Sequence, residues 1–303
     1  MAEVLLERLK RRYYRLLLDG FFDRKRLGNV PSPAGRVPLR CLPNPPVRWL
    51  NGIAMRPVMS HRLWVHRSSR GWHEPSLDNL VARCLKPGDV VVDIGAQIGI
   101  TAVMEAIRVG PHGRVIAFEP DADNYPVLLE AIRLNGLTTV EPHCLAAASK
   151  AGRLRFAKEA TAGLIQRAQA QDGGEWLEAV DLDTFLAEHG PARVDFVKID
   201  VDGPEMDVVL GMRRLLGADD APFLCVECSR YWGRFGHDFA GAFELFAGLG
   251  FKVAVALRRS ARIEWLSSPG DIPADWGMKP AHAFNFFCFR PELHAERIRL
   301  LEL

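Results

Sequence analysis

The sequence predicts an α/β fold built on a mostly parallel sheet, and three observations carry that prediction. Val90-Val91-Val92-Asp93-Ile94 is an apolar run without alternation, as suits a strand buried on both faces, and Gly95 and Gly99 follow it. About 20 residues further on, Val115-Ile116-Ala117-Phe118 repeats the apolar run and ends in Glu119-Pro120. From residue 74 onward, strand-like and helix-like segments alternate along the chain.

In order, the pattern predicts a helix over 76–85, a strand over 89–94, a helix over 98–109, a strand over 114–118, a helix over 122–135 and a strand over 138–144. A less regular, glycine-containing insertion follows over 149–180, with a β-ribbon at 153–158. Then come a helix over 182–189, a strand over 194–199, a helix over 204–216, a strand over 222–227 and a helix over 239–249. A strand over 251–256, a hairpin near 262–265 and a strand over 284–290 complete the list. This describes a seven-stranded, mostly parallel Rossmann-like sheet with an antiparallel last strand, occupying residues 74–303.

Residues 1–73 read as a separate unit. They hold 15 Lys/Arg and 4 Asp/Glu, a balance of +11, so the rest of the chain carries −9 of the total +2. The first segment, 3–19, puts Leu5, Leu9, Tyr13 and Leu16 on one helical face with Arg8, Arg11, Arg12 and Arg15 mostly elsewhere. Such a basic amphipathic helix suits packing on the catalytic domain with its arginines solvated. It equally suits peripheral contact with an anionic membrane surface, a lipid-linked substrate or an acidic partner. The proline-rich stretch 27–70 that follows reads as an irregular arm, and it contains no nucleic-acid-binding module, so no nucleic-acid partner is expected. No apolar run reaches the roughly 18 residues of a membrane span, and the charged first twelve residues do not resemble a secretory signal; a cytoplasmic location is the expectation. The six cysteines include one C-x-x-C, Cys225 and Cys228, inside a buried-strand pattern with no second pair to complete a zinc site.

The chemistry starts at the first turn. Dinucleotide-binding turns use G-x-G-x-x-G so that a pyrophosphate can meet a helix N-terminus, but here Asp93 stands where the first glycine would be, and its carboxylate repels a pyrophosphate. That acid suits the ammonium of an amino acid instead, while Glu119 at the next strand end suits a ribose diol. An adenosine carrying a methionine, S-adenosyl-L-methionine, fits this pair of acids better than NAD does.

With these residues in view, the chain resembles the FkbM family of S-adenosylmethionine-dependent methyltransferases. The resemblance rests on Asp93-Ile94-Gly95-Ala96-Gln97-Ile98-Gly99, Phe118-Glu119-Pro120 with Asn124, Asn135-Gly136-Leu137, and Leu182-Asp183. Phe196-Val197-Lys198-Ile199-Asp200-Val201-Asp202-Gly203 with Glu205 completes it. Two positions depart from the family pattern: Gln97 stands where Asn is usual and Asp202 where Glu is usual, each a change of one methylene, or about 1.5 Å. The resemblance implies a cofactor site from Glu74, Asp93, Gly95, Ala96, Gln97, Gly99, Glu119, Pro120, Asn124 and Asp200. It also implies O-methylation of a hydroxyl on a sugar, glycolipid or natural-product scaffold.

Asp200, at a strand's C-terminal end where open α/β sheets bind ligands, and Lys198, two residues before it, are the catalytic candidates. Lys198 has three open roles: pairing with an acid, stabilising an oxyanion, or structure. Glu227, His73 and His282 are further candidates at the mouth. Asp200 and Asp202 lie two apart after a strand and are expected to diverge, so no metal is expected. N-methylation of an amine or peptide, and a degenerate cofactor-binding scaffold, are the alternatives. The arm, the insertion and the segment 267–283, with Trp265, Trp276 and Met278 as a candidate apolar wall, are where acceptor specificity is expected.

Overall fold

A computed structural model of the chain describes residues 2–20, 29–32, 35–38, 45–48, 52–56, 75–156, 175–228, 231–257, 263–271 and 284–302. Helix α1 (Ala2–Gly20) comes first, followed by two short hairpins, β1 (Asn29–Ser32) with β2 (Gly35–Pro38) and β3 (Val47–Arg48) with β4 (Ala54–Met55). The alternating region then runs α2 (Pro75–Cys84), β5 (Val90–Ile94), α3 (Ile100–Val109), β6 (Arg114–Phe118), α4 (Tyr125–Leu134), β7 (Val140–His143) and β8 (Ala146–Ala147). It continues through β9 (Gly152–Phe156), β10 (Glu175–Val180), α5 (Leu182–His189), β11 (Phe196–Ile199), α6 (Glu205–Leu210), α7 (Arg213–Gly217) and β12 (Phe223–Cys228). The chain closes with α8 (Phe239–Gly248), β13 (Lys252–Leu257), β14 (Ile263–Leu266), β15 (Phe284–Phe289) and α9 (Pro291–Glu302).

The central sheet has the order β14-β13-β15-β12-β11-β5-β6-β7. Its β7, β6, β5, β11 and β12 are parallel, whereas β15 runs antiparallel to both β12 and β13, and the hairpin near 262–265 supplies β14 as an eighth strand at the edge. The apolar runs lack alternation because both faces are covered. Val92, Ile94, Ile116, Phe118, Val197, Ile199 and Val226 face one layer with Met206, Val208, Leu216 and Phe246. Val91, Val115, Phe196, Phe223 and Phe287 face the other, with Leu80, Ala102, Ala106 and Leu301. Cys225 and Cys228 fall in opposite layers, both fully buried, as core residues of β12.

Three local departures from the sequence pattern have tertiary causes. The helix expected from 122 begins at Tyr125 because the Asp121 carboxylate accepts from the Asp123 and Asn124 N–H groups, holding a turn in front of it. The helix expected over 204–216 divides into α6 and α7 around Gly211, where a Cβ would lie 2.0 Å from the Ala148 carbonyl oxygen. Helix α9 follows the last strand expected from the sequence; Arg297 anchors it by donating to both oxygens of Asp89 at 2.6 and 2.8 Å and to the Cys84 carbonyl at 2.6 Å. Part of the N-terminal arm joins the core: Asn135 exchanges two hydrogen bonds with the Ala54 backbone (2.8 and 2.7 Å), and Ile53 and Met55 pack on Ile98, Ile100, Val103 and Ala131.

Candidate active site

From β5 the chain builds outward to β6 and β7, then returns to the other side of β5 for β11 and β12, so strand order reverses between β5 and β11. The crevice outside the carboxyl ends at such a point is where open α/β sheets bind ligands. Gly95 and Asp200 occupy it. Gly95 has φ +83, and a Cβ there would lie 1.9 Å from the Asp200 carbonyl oxygen, so only glycine lets the two loops meet this closely. At Gly99 (φ +88) a Cβ would stand 2.8 Å from Leu128, so this glycine seats α3 against α4.

Register explains the next contact. In the parallel pair β11–β5, Lys198 lies directly beside Asp93, on the sheet face covered by α3. The Lys198 Nζ is 3.5 Å from Asp93 Oδ1 and 3.2 Å from Asp200 Oδ2, with only 3% of its side chain exposed. Of the three roles open to Lys198, the geometry displays pairing with acids. Burial works against its ammonium charge, but Asp200, Asp93 and Glu105 outweigh that and hold it protonated well above its ordinary range. Asp93 is raised above the usual carboxylate range by burial, which Lys198 only partly offsets. Its Oδ2 has no hydrogen-bond partner among the described residues, and neither oxygen of the fully buried Glu105 has one. Burial first, then the charge of Asp93, drives the Glu105 carboxyl well above the usual carboxylate range.

Glu119 stitches two loops together. Its Oε2 accepts from the Gln97 N–H at 2.8 Å, and its Oε1 accepts from the Asp121 N–H at 2.9 Å and from Asn124 Nδ2 at 3.4 Å. Burial raises this carboxyl to about 7 despite those donors. Gln97 aims its N–H from a left-handed backbone, φ +50. Ala96 is buried beside it, with its N–H on the Phe118 carbonyl, and half-buried Pro120 closes the strand end.

Asp200 and Asp202 do not diverge as expected. Carboxylate oxygens of Asp200, Asp202 and Glu227 all lie within 4.8 Å of one another. The reason is backbone: Asp202 is left-handed, φ +57, which turns its side chain back over the strand end. The trio offers oxygen donors of the kind a divalent cation accepts. Burial, followed by the charges of Asp200, Asp202 and Glu205, pushes Glu227 well above the usual range, and it shares a hydrogen bond with Asp200. Beneath them, fully buried Glu205 holds the loop's shape. Its Oε1 accepts from the Gly203 and Val201 N–H groups (2.9 and 3.3 Å) and its Oε2 from Trp232 Nε1 at 2.7 Å.

Glu74, His73 and His282, and with them Trp276 and Met278, lie outside the described residues. Trp265 sits on β14, 43% exposed, with its ring edge-on to Phe289. Sequence reasoning passed over Glu105, although an acid at the buried a/d-like position between Ala102 and Val109 was a readable signal.

Fold and site together define a Rossmann-like, S-adenosylmethionine-dependent methyltransferase. The sequence profile described as "Methyltransferase FkbM domain" matches residues 93–253, over half of the chain, and the protein belongs to the FkbM methyltransferase family. The hexuronic acid methyltransferase AglP of Haloferax volcanii is 26% identical over 187 residues, covering 61% of this chain and 74% of that protein. Among solved structures, Aeropyrum pernix fibrillarin with bound S-adenosyl-L-methionine overlaps 88% of this chain and 96% of its own (TM-score 0.42, 14% identity). The O-methyltransferase TomG of Streptomyces achromogenes overlaps 71% of this chain and 78% of its own (TM-score 0.41, 15% identity). The chain's own residues fit the cofactor: Asp93 keeps a spare buried acceptor at the switch point, and Glu119 presents a carboxylate at the second strand end.

Proposed function

We propose that this methyltransferase acts on a hydroxyl of a sugar or glycan, and that the carboxyl trio of Asp200, Asp202 and Glu227 receives it. The observation that carries the reading is the trio itself: three converging acceptors at the mouth suit a hydroxyl-rich acceptor, whose O–H groups donate to them. The similarity to AglP, a hexuronic acid methyltransferase, supports the same acceptor class.

When bound, S-adenosylmethionine supplies a methyl already activated by the sulfonium charge. The chain's tasks are then orientation, water exclusion and proton removal. On this reading Asp93, Gly95, Ala96, Gln97 and Gly99 line the amino-acid end of the cofactor. Glu119, with Asn124 and Pro120 beside it, takes one hydroxyl of the ribose diol: a carboxylate has about four lone-pair sites, and the three donors already present leave room for one more. Lys198 works as a positioning residue, holding Asp93 and Asp200 in place from below. Glu227 and Asp200, joined by a hydrogen bond, form the carboxyl pair that takes the proton from the acceptor hydroxyl as the oxygen–methyl bond forms and the sulfonium–methyl bond breaks.

The test is incubation with methyl-labelled cofactor and a panel of hexuronic acids, glycans and glycolipids, with fragmentation mass spectrometry locating the label. A methyl ether on a sugar ring is expected, and Glu227→Gln is expected to lower kcat by about 10²- to 10⁴-fold with cofactor affinity little changed. The same three acids attract a cationic amine, so label on nitrogen would move the assignment to N-methylation.

A further inference from the structure

Helix α1 is amphipathic in the inverted sense. Among the described residues it meets the rest of the chain through its polar side: Glu7, which pairs with Lys10 of the same helix at 2.7 Å, accepts from the Arg48 N–H at 2.8 Å. At about 100° per residue, Leu5, Leu6 and Leu9 fall in one arc, and Glu7 lies roughly opposite Leu5 and Leu9. That arc faces outward, with Leu5, Leu6 and Leu9 exposed by 58, 52 and 54%. Arg8 and Arg12, both exposed, border it.

A helix stabilised by burial normally turns its leucines inward. Here, among the described side chains, Glu7 on the polar face makes the attachment, and Leu5, Leu6 and Leu9 are left for something else. The border of arginines, within a segment of charge +11, selects an occupant that is both apolar and anionic. A second copy of α1 supplies the leucines but repels the arginines. A phospholipid surface supplies acyl chains for the leucines and phosphates for the arginines. No helix among the described residues is long and apolar enough to cross a membrane, so the contact lies in the interface plane.

We propose that α1 seats the protein on an anionic bilayer surface, with Leu5, Leu6 and Leu9 in the headgroup–acyl boundary and Arg8 and Arg12 on lipid phosphates. This inference stands apart from the acceptor assignment, since it rests on α1 alone.

The full chain is sedimented with vesicles of phosphatidylcholine alone or of phosphatidylcholine with phosphatidylglycerol, at low and high salt. Binding to the anionic vesicles, weakened by salt, is expected. Leu5→Ser/Leu9→Ser and, separately, Arg8→Gln/Arg12→Gln should each lower the partition coefficient at least about tenfold. Calorimetric binding of S-adenosylmethionine, unchanged in both variants, shows that the fold survives. Three results would overturn the proposal: wild-type protein left in the supernatant, equal binding to neutral vesicles, or unchanged binding by both variants. Light scattering that shows a dimer dissolved by Leu5→Ser/Leu9→Ser would assign the face to a second copy and overturn it as well.

Discussion

Replacing Lys198 with Met tests whether the buried cation organises the switch point. The ammonium lies 3.5 Å from Asp93 and 3.2 Å from Asp200, and at an effective dielectric near 20 each contact is a gross attraction of about 5 kcal/mol. Desolvation of all three groups cancels much of this, and removing one partner of a buried pair typically destabilises by about 3–5 kcal/mol. We expect a loss in that range at pH near 8. The freed carboxyls have an escape, because they can bind protons. The Asp93 carboxyl, already raised by burial, then rises further above its unfolded value, so the folded state holds more protons between the two values and its stability falls as pH rises through that window. The variant's deficit should therefore shrink on acidification, by about 1.4 kcal/mol per pH unit for each proton taken up.

The assay is urea unfolding followed by tryptophan emission at pH near 6 and near 8, with parent and variant compared at equal m-value. A second variant, Lys198→Met/Asp93→Asn, removes one of the stranded charges and should recover part of the loss even if the single variant does not fold at the higher pH. A deficit under about 1 kcal/mol, or one that is the same at both pH values, would refute the argument that charge rather than packing fixes Lys198 in place.

Further expectations follow from single contacts. Because burial raises Glu119 to about 7 and a ribose diol donates to its ionised form, cofactor affinity measured by calorimetry should climb as pH passes from 6 to 8. Glu119→Gln should bind at least about tenfold more weakly and show no such climb. Arg297→Met, at the amino-terminal end of the central strands and away from the crevice, strands buried Asp89 and should cost about 3–5 kcal/mol in urea while leaving kcat unchanged. Gln97→Asn places a residue that tolerates left-handed backbone at φ +50 and should raise stability by about 0.5–1 kcal/mol, read as an upward shift of the thermal midpoint.

The central strands were legible because residues such as Val91-Val92 and Phe196-Val197 are apolar on both faces, a property that local sequence carries. Glycine placement was legible too, since Gly95 terminates a strand where a turn is compulsory. What could not be read depended on distant partners. The break at Gly211 arises from Ala148, more than sixty residues earlier, and α9 depends on Asp89 receiving Arg297. In the site, Asp93 and Glu119 could be picked out from their places at strand ends. The pairing of Lys198 with Asp93 required the β11–β5 register, and the convergence of Asp202 with Asp200 and Glu227 required a left-handed residue that propensity does not announce.

Both departures from the family pattern, Gln97 and Asp202, are the non-glycine left-handed positions among the described residues, one beyond the end of each strand that frames the crevice. Such backbone persists only where its surroundings over-determine it. At Gln97 the determinant is Glu119, which accepts its N–H; near Asp202 it is Glu205, which accepts from Gly203 and Val201. Each carboxyl that fixes a loop is itself raised by burial, Glu119 to about 7 and Glu205 to about 8. The loops are thus shaped by acids that burial makes reluctant to ionise, around buried Lys198, which is already committed to Asp93 and Asp200. On the proposed assignment, a cationic cofactor supplies the charge that these acids lack. Binding it should expel protons, so the crevice couples cofactor affinity to pH through several carboxyls acting together rather than through one base.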